Sequence, residues 1–382
     1  MNATEPLVIE TAQPQNFLLL TALDYRTPRK ANLHFIADEL VQRGKTRFFS
    51  LRYSHLSRYK ADPRCDIDAR ANQVESWNGV ECFLWKTLVH PFNTRKKALR
   101  PLENILFQGY RAFPHPVLRQ WLKEADIIFF ESGAAPVFFD MACRLNPKAK
   151  KIYIASDDLH TIAVADFVSD CFARAAPQMS ALCLPSRALA TTMPESRNKY
   201  FVPHGLDHSI AEQADPSPYG PGKHAVSVGS MLFDSSFFQI AARLFPDITF
   251  HVIGSGCINQ NYADNVQVYD EMRHQDTLPY IKHADFGIAP YRSEAVPAYL
   301  ADTSMKLMQY DFFGLPAVCP MPAVGSHLSR FGYQPGNATS IELAIRAALA
   351  APHRSSSRHL SWGEVVDRLI DPGRFADTRL CL

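Results

Sequence analysis

Residues 301–320 read ADTSMKLMQYDFFGLPAVCP, and this stretch decides the fold. Asp302, Thr303 or Ser304 offers a short acceptor side chain able to cap a helix that begins near Met305. A helical pattern then runs over 304–313, Gly314 and Pro316 stop it, and the apolar run 316–319 suits a buried parallel strand. A helix followed at once by such a strand is half of an α/β crossover unit.

The same alternation continues outward. Going back along the chain, apolar runs predict strands at 285–289, 265–269, 248–253 and 224–229, then at 181–184, 151–155, 126–131 and 16–23. Helical patterns fall at 31–42, 115–124, 235–245, 275–284 and 361–370. Strands alternating with helices predict the α/β class with parallel sheets. The segment 213–223, QADPSPYGPGK, is rich in turn formers, and the alternation restarts after it. The expected organisation is therefore a domain over 1–205 and a second over 206–382, with the C-terminal helix in 361–382 free to cross back to the first. Two Rossmann-like domains facing each other across a cleft place ligands beyond the carboxyl ends of strands.

Composition narrows the function classes. Apolar residues make up 47% of the 382 and charged residues 20%, which excludes a disordered or fibrous chain. No run is apolar enough to cross a bilayer. The N-terminus carries Glu5 and Glu10 without a basic region and apolar core, so no secretory signal is expected. Eight scattered cysteines, without CxxC spacing, predict buried free thiols rather than disulfides or a metal site. The net charge of +2 averages unlike halves: residues 1–200 hold 27 Lys+Arg against 20 Asp+Glu, and the remainder hold 13 against 18. A basic half points to an anionic partner on that side.

Strand ends supply the chemistry. Asp157, followed by Asp158, ends the strand at 151–155; a carboxylate there can take a proton from a sugar hydroxyl, or simply cap the next helix. Gly229-Ser230-Met231 ends the strand at 224–229 without a GxGxxG fingerprint, and the glycines at 254 and 256 also fall short of one. Lys306 falls in the first turn of its helix, where a cation opposes the helix dipole. It fits that place if an anion such as a diphosphate docks at the same terminus. Gln309 is one turn further on the same face. Glu271 and Tyr291 follow two other strands and either line a nucleotide pocket or pack the sheet edge.

With these residues in view, "FVPHGLDH" (201–208) and "SMKLMQYDFFGLPAVCP" (304–320) resemble the hinge and donor-domain element of GT-B glycosyltransferases. Many retaining members carry a Glu-x7-Glu pair; the matching positions here are Ala301 and Gln309, and Glu294 with Asp302 sits seven residues too early. A more specific resemblance covers nearly the whole chain. "DYRTPRKANLHFI" (24–36), "TRFFSLRYSHLSR" (46–58), "HPFNTRKKALRP" (90–101), "AVSVGSMLFD" (225–234) and "YIKHADFGIAPY" (280–291) resemble the xanthan-type, membrane-associated (GumK-like) glucuronosyltransferases, inverting GT-B enzymes.

That resemblance implies transfer of glucuronic acid from UDP-glucuronate to the mannose of a polyprenyl-diphosphate-linked oligosaccharide. It implies a peripheral enzyme at the cytoplasmic face of the inner membrane, working without a metal or other cofactor. Asp157 becomes the general base. Ser230, Met231, Glu271, Tyr291, Met305, Lys306 and Gln309 become contacts of the UDP-sugar. Asp158 departs from the small neutral residue expected there. The sugar's carboxylate calls for a cation, either Arg292 or a residue of the first domain. The basic-aromatic stretches 25–30, 52–60 and 93–100 are expected to meet an anionic membrane, not nucleic acid. Competing readings are a GT-B-like UDP-sugar epimerase, which would need no lipid acceptor, and a non-catalytic basic membrane-binding protein, which would bind no UDP-sugar.

Overall fold

The computed structural model describes residues 15–28, 30–60, 62–254, 261–292, 296–355 and 358–380. Glu5, Glu10, Arg29, Gly256, Cys257, Glu294 and Cys381, all used in the sequence reading, lie outside the described residues. The chain divides into two compact units. One holds the residues up to Leu184, Thr192–Tyr200 and those from Val366 on; the other holds Pro185–Thr191 and Phe201–Val365.

The first unit is built on an eight-stranded sheet. Its strands are β1 (Gln15–Thr21), β2 (Gly44–Ser54), β3 (Val74–Trp77), β4 (Val80–Thr87), β5 (Ile127–Glu131), β6 (Lys150–Ile154), β7 (Ala181–Leu184) and β8 (Lys199–Phe201). The order is β3-β4-β2-β1-β5-β6-β7-β8. Pairings from β4 through β7 are parallel, and the β3–β4 hairpin at the edge is antiparallel. Helices α1 (Asn32–Val41), α2 (Arg100–Ala112), α3 (Pro116–Glu124), α4 (Phe139–Leu145) and α5 (Asp166–Ala175) follow the strands. β1 and β5 are buried almost throughout, which is why they read as continuous apolar runs.

The second unit has six strands: β9 (Lys223–Val228), β10 (Ile248–Ile253), β11 (Val266–Tyr269), β12 (Phe286–Ile288), β13 (Ala317–Pro320) and β14 (Arg330–Tyr333). All pairs are parallel, in the order β11-β10-β9-β12-β13-β14. Renumbered within the unit, this is the 3-2-1-4-5-6 order of a doubly wound Rossmann sheet. Helices α6 (Ser236–Leu244) and α10 (Ala338–Ala350) cover one face through Phe237, Phe238, Ile341 and Ile345. Helices α7 (His274–Lys282), α8 (Leu300–Thr303) and α9 (Met305–Phe312) cover the other through Ile281, Leu300, Leu307 and Tyr310. The last helix, α11, is Trp362–Ile370.

The nine strands expected from apolar runs all form. The sequence reading misses β2, β3, β4, β8 and β14; in β2 and β4 charges interrupt the apolar pattern. Arg47 in β2 is buried all the same, since its guanidinium pairs with Glu81 of β4 at 2.9 Å and with Glu124 at the end of α3. The capping expectation narrows to one residue. Ser304 caps α9, accepting from the Leu307 N–H at 3.2 Å, whereas Asp302 and Thr303 end the preceding α8. Among the described cysteines, Cys82, Cys171, Cys183 and Cys319 are buried and free. Cys65 and Cys143, expected inside, are only partly so. Among the described residues no helix is long and apolar enough to cross a membrane.

Candidate active site

In a doubly wound sheet the crevice opens where the strand order reverses. In the second unit that point lies between β9 and β12, and the structure brings two predicted motifs together there. Past β9, Gly229 adopts φ +87, a left-handed conformation that glycine takes without strain. The chain then turns through Ser230 and Met231, both exposed, Met231 by 52%. Past β12, Tyr291 is buried and bridges Phe233. The Asp234 N–H donates to Pro290 O at 2.7 Å and the Arg292 N–H to Leu232 O at 2.8 Å, locking the two turns side by side. Arg292 spends its Nε on Phe233 O at 3.1 Å.

Helix α9 is set against this point by two hydroxyls. Tyr310 donates to Val226 O and Ile288 O, both at 3.2 Å, so it reads both strands of the switch point. Its ring lies over Gly287, where any Cβ would meet it at 2.5 Å; the glycine is a packing requirement. The Ser304 and Tyr291 hydroxyls are 2.6 Å apart, joining the helix cap to the end of β12. Lys306 results, half-buried, with its ammonium 5.4 Å from the centre of the Tyr291 ring. Among the described residues no carboxylate pairs with it, and burial pushes its pKa down to about 7. The first-turn amides of α9 have no intrahelical acceptors. An ammonium short of an anion, at a helix N-terminus, is a place for a phosphate.

The other predicted donor residues are spread around that centre. Glu271 is exposed, two residues past edge strand β11; a Cβ on Gly254 would lie 3.7 Å from its Cα. Met305 packs against Leu206, Ile210 and Leu278. Gln309, one turn past Lys306, donates its amide to His274 Nε2 at 2.6 Å.

In the first unit the order reverses between β1 and β5. Here the residues are acidic. Asp157 follows β6 on a turn held by Ser132, whose Oγ donates to Asp157 O at 2.8 Å and accepts from its N–H at 3.2 Å. Asp158 is buried and turns away from this role: its Oδ2 accepts from both the Thr161 N–H (2.9 Å) and hydroxyl (3.0 Å). It holds the turn that follows β6; the expected helix capping does not form, since α5 starts at Asp166 behind Ala165 without a side-chain cap. Glu131, the last residue of β5, is buried, accepts from Thr21 and, at 2.9 Å, from Ser156. Burial pushes its carboxyl up to about 7, the Thr21 and Ser156 bonds oppose that, and the neighbouring Asp157 adds to it.

The family described as glucuronosyltransferase GumK, N-terminal domain, matches residues 19–185. The UDP-glucuronate:glycolipid 2-beta-glucuronosyltransferase of Xanthomonas campestris pv. campestris is 55% identical over 365 residues, 95% of this chain and 91% of that one. This chain belongs to the GumK glucuronosyltransferase family. Among solved structures, the trehalose-phosphate synthase of Burkholderia xenovorans with glucose-6-phosphate covers 94% of the chain and all of its own, at TM-score 0.62 and 10% identity. The E. coli protein titled trehalose-6-phosphate, bound with UDP-2-fluoro glucose, covers 95% of this chain and all of its own, at TM-score 0.59 and 10% identity. These neighbours share the fold, which is GT-B.

Within this glucuronosyltransferase family member, sequence reasoning passed over Glu131. The signal was present: DIIFFE closes a wholly apolar strand with an acid at its carboxyl end. The basic stretches also needed coordinates. In stretch 25–30, Tyr25 and Arg26 are buried, Arg26 paired with Asp24 (2.9 Å) and Glu75 (2.7 Å), while Lys30 is exposed and Arg29 lies outside the described residues. Stretch 52–60 divides: Tyr53 is buried, while Tyr59 is exposed and Arg58 pairs with Asp68 at 2.9 Å. Stretch 93–100 presents a continuous exposed run of charges, from Arg95 through Lys97, and it leads directly into α2. That helix exposes Leu102, Ile105 and Leu106; Leu88 and Phe113, also exposed, are 82% and 81% accessible.

Proposed function

We propose that this enzyme transfers glucuronic acid from UDP-glucuronate to the mannose of a lipid-linked oligosaccharide carried on polyprenyl diphosphate. The observation that carries the reading is the 55% identity across 95% of the chain to an enzyme named for that donor and a glycolipid acceptor. The chemistry of the strand ends agrees with it. Asp157 takes the proton of the acceptor hydroxyl, and the oxygen attacks the anomeric carbon from the side opposite UDP. The bond from that carbon to the diphosphate oxygen breaks, and the electron pair leaves with UDP. Lys306 and the first-turn amides of α9 take up the charge that develops on the diphosphate. Ser230, Met231, Tyr291, Glu271, Met305 and Gln309 shape the donor site around it. A single displacement inverts the anomeric centre.

The enzyme works as a peripheral membrane protein in this reading. The basic run from Arg95 to Arg100 offers charge to anionic headgroups, at about 1 kcal/mol per residue. The exposed apolar residues of α2 enter the headgroup boundary behind it.

The test is a donor screen with a lipid-diphosphate-linked oligosaccharide acceptor. Transfer from UDP-glucuronate alone, giving a β-linked product, is expected. No transfer from UDP-glucuronate, or an α-linked product, overturns the assignment.

A further inference from the structure

A second polar cavity lies in the first unit, at the carboxyl end of β2. It measures about 200 Å³, and Arg52, Asn93 and Arg95 line it together with Phe92, Phe107 and Ile162. No carboxylate lines it among the described residues. Arg52 sits where the β2–β4 register slips, between Ser50 and Tyr53, at φ +57. Arg95 at φ +60 and Ala163 at φ +50 also line the cavity. Left-handed conformations at side chains other than Gly or Asn are strained and gather at ligand sites.

The bulge is a held structure. Arg64 donates to Leu51 O at 2.7 Å and to Arg52 O at 3.0 Å, and Asp62 holds Arg64 at 2.7 Å. Tyr110 accepts the Arg52 N–H at 3.1 Å. Asn93 ties the opposite wall, donating to Ala163 O (3.0 Å) and Val164 O (3.1 Å). Glu103 is occupied by the Thr94 N–H at 2.8 Å, and Asp166 by Arg100 at 2.9 Å. The guanidinium so placed has no acid of its own: Asp62 is taken by Arg64, and the Arg52 Nε is buried without an acceptor. Burial disfavours its charge, yet an arginine keeps its proton. Arg52 is half-buried as a residue, its Nε is buried without an acceptor, and the planar fork of donors it brings to the cavity matches a phosphoryl group.

We infer that this cavity, through Arg52 and Arg95, binds a phosphoryl group carried on an apolar chain. Its apolar walls continue to Ile162, which is exposed at the rim. The loop that lines it at 162–165 begins at the Asp157 turn, so the cavity and the proposed base share one segment. Resting on the function proposed above, the inference assigns the diphosphate of the lipid-linked acceptor to this cavity, a task separate from the donor site.

The test measures binding on the full chain and needs no transfer, so its result is independent of the glucuronosyl reading. A short isoprenyl diphosphate, inorganic diphosphate and phosphatidylglycerol vesicles are titrated against the native protein, Arg52→Met and Arg52→Lys. Arg52→Met is expected to weaken isoprenyl diphosphate binding about 10- to 100-fold. Its melting temperature stays about the same, because Arg52 is half-buried and its Nε makes no bond that the substitution would break; Arg52→Lys falls between. Arg95→Met, at an exposed position, gives a smaller loss in the same direction and keeps the test open if Arg52→Met does not fold. Loss confined to the two diphosphates identifies the substrate's own diphosphate. Equal loss on vesicles identifies a lipid headgroup as the source. Native binding of all three probes by the Arg52 and Arg95 variants overturns the inference.

Discussion

The two units solve the same topological problem with opposite chemistry. Each reverses its strand order once and places its polar residues at that reversal. In the first unit the strand ends carry acids, Glu131 and Asp157, though the residues of that half are basic in sum. In the second the switch point carries Lys306, though that half is acidic in sum. Net charge therefore describes the solvated surface, and a few desolvated groups decide what the strand ends can bind. An acid pushed up and an ammonium pushed down are both marks of burial without a full complement of partners.

The contrast can be broken by exchanging its parts. The largest effect is expected in the first unit. Asp157→Asn removes the proposed base and should lower transfer by about 10³-fold, within the range general-base losses span. Sugar transfer measured by product release checks this, and near-native rates would remove Asp157 from the chemistry.

The next effect belongs to the second unit. Lys306→Met should weaken UDP-glucuronate binding about 10- to 100-fold, the worth of a charged hydrogen bond. The same group gives a pH signature. Free Lys306 titrates near 7, and the bound diphosphate favours its ammonium, so binding takes up a proton. Donor affinity should fall as pH rises above about 7, and the fall should vanish in Lys306→Met. Calorimetry in buffers of different ionisation enthalpy reads the proton directly; no uptake in the native protein argues against the role.

Glu131 gives a smaller effect on stability. Its carboxyl rises from 4.5 unfolded to about 7 folded, so its contribution is complete below 4.5 and is lost as pH climbs through about 7. Urea unfolding across that window should show stability declining with pH, and Glu131→Gln should flatten the decline. An unchanged slope would mean that Glu131 ionises freely.

The smallest effect on the fold is expected at α2. Replacing exposed Leu102 and Ile105 by Ser should reduce flotation with anionic vesicles and leave the melting temperature within a degree or so, since surface changes are nearly neutral. Undiminished flotation would move the membrane contact elsewhere.

Much of this was legible in the sequence where one physical signal dominated. Buried parallel strands announce themselves as apolar runs, and Lys306, misplaced for its helix dipole, stands in the structure at the start of α9 with its charge disfavoured by burial. What was hidden depends on pairing across the sheet. β2 carries Arg47 inside, and only Glu81 and Glu124 make that tolerable. Gln309 shares a helical face with Lys306 by spacing, yet His274 claims it. Asp157 and Asp158 are indistinguishable as letters; Thr161 shows which one is tied into the turn. Arg26 belongs to a basic string yet is internal, because Asp24 and Glu75 neutralise it.

The division of labour between the two units is tested most directly on one preparation of Asp157→Asn, with UDP-glucuronate affinity by calorimetry beside transfer to the lipid-linked acceptor. The prediction is native affinity for the donor with transfer lowered by about 10³-fold. Transfer at the native rate, or loss of donor binding with the fold intact, would contradict it.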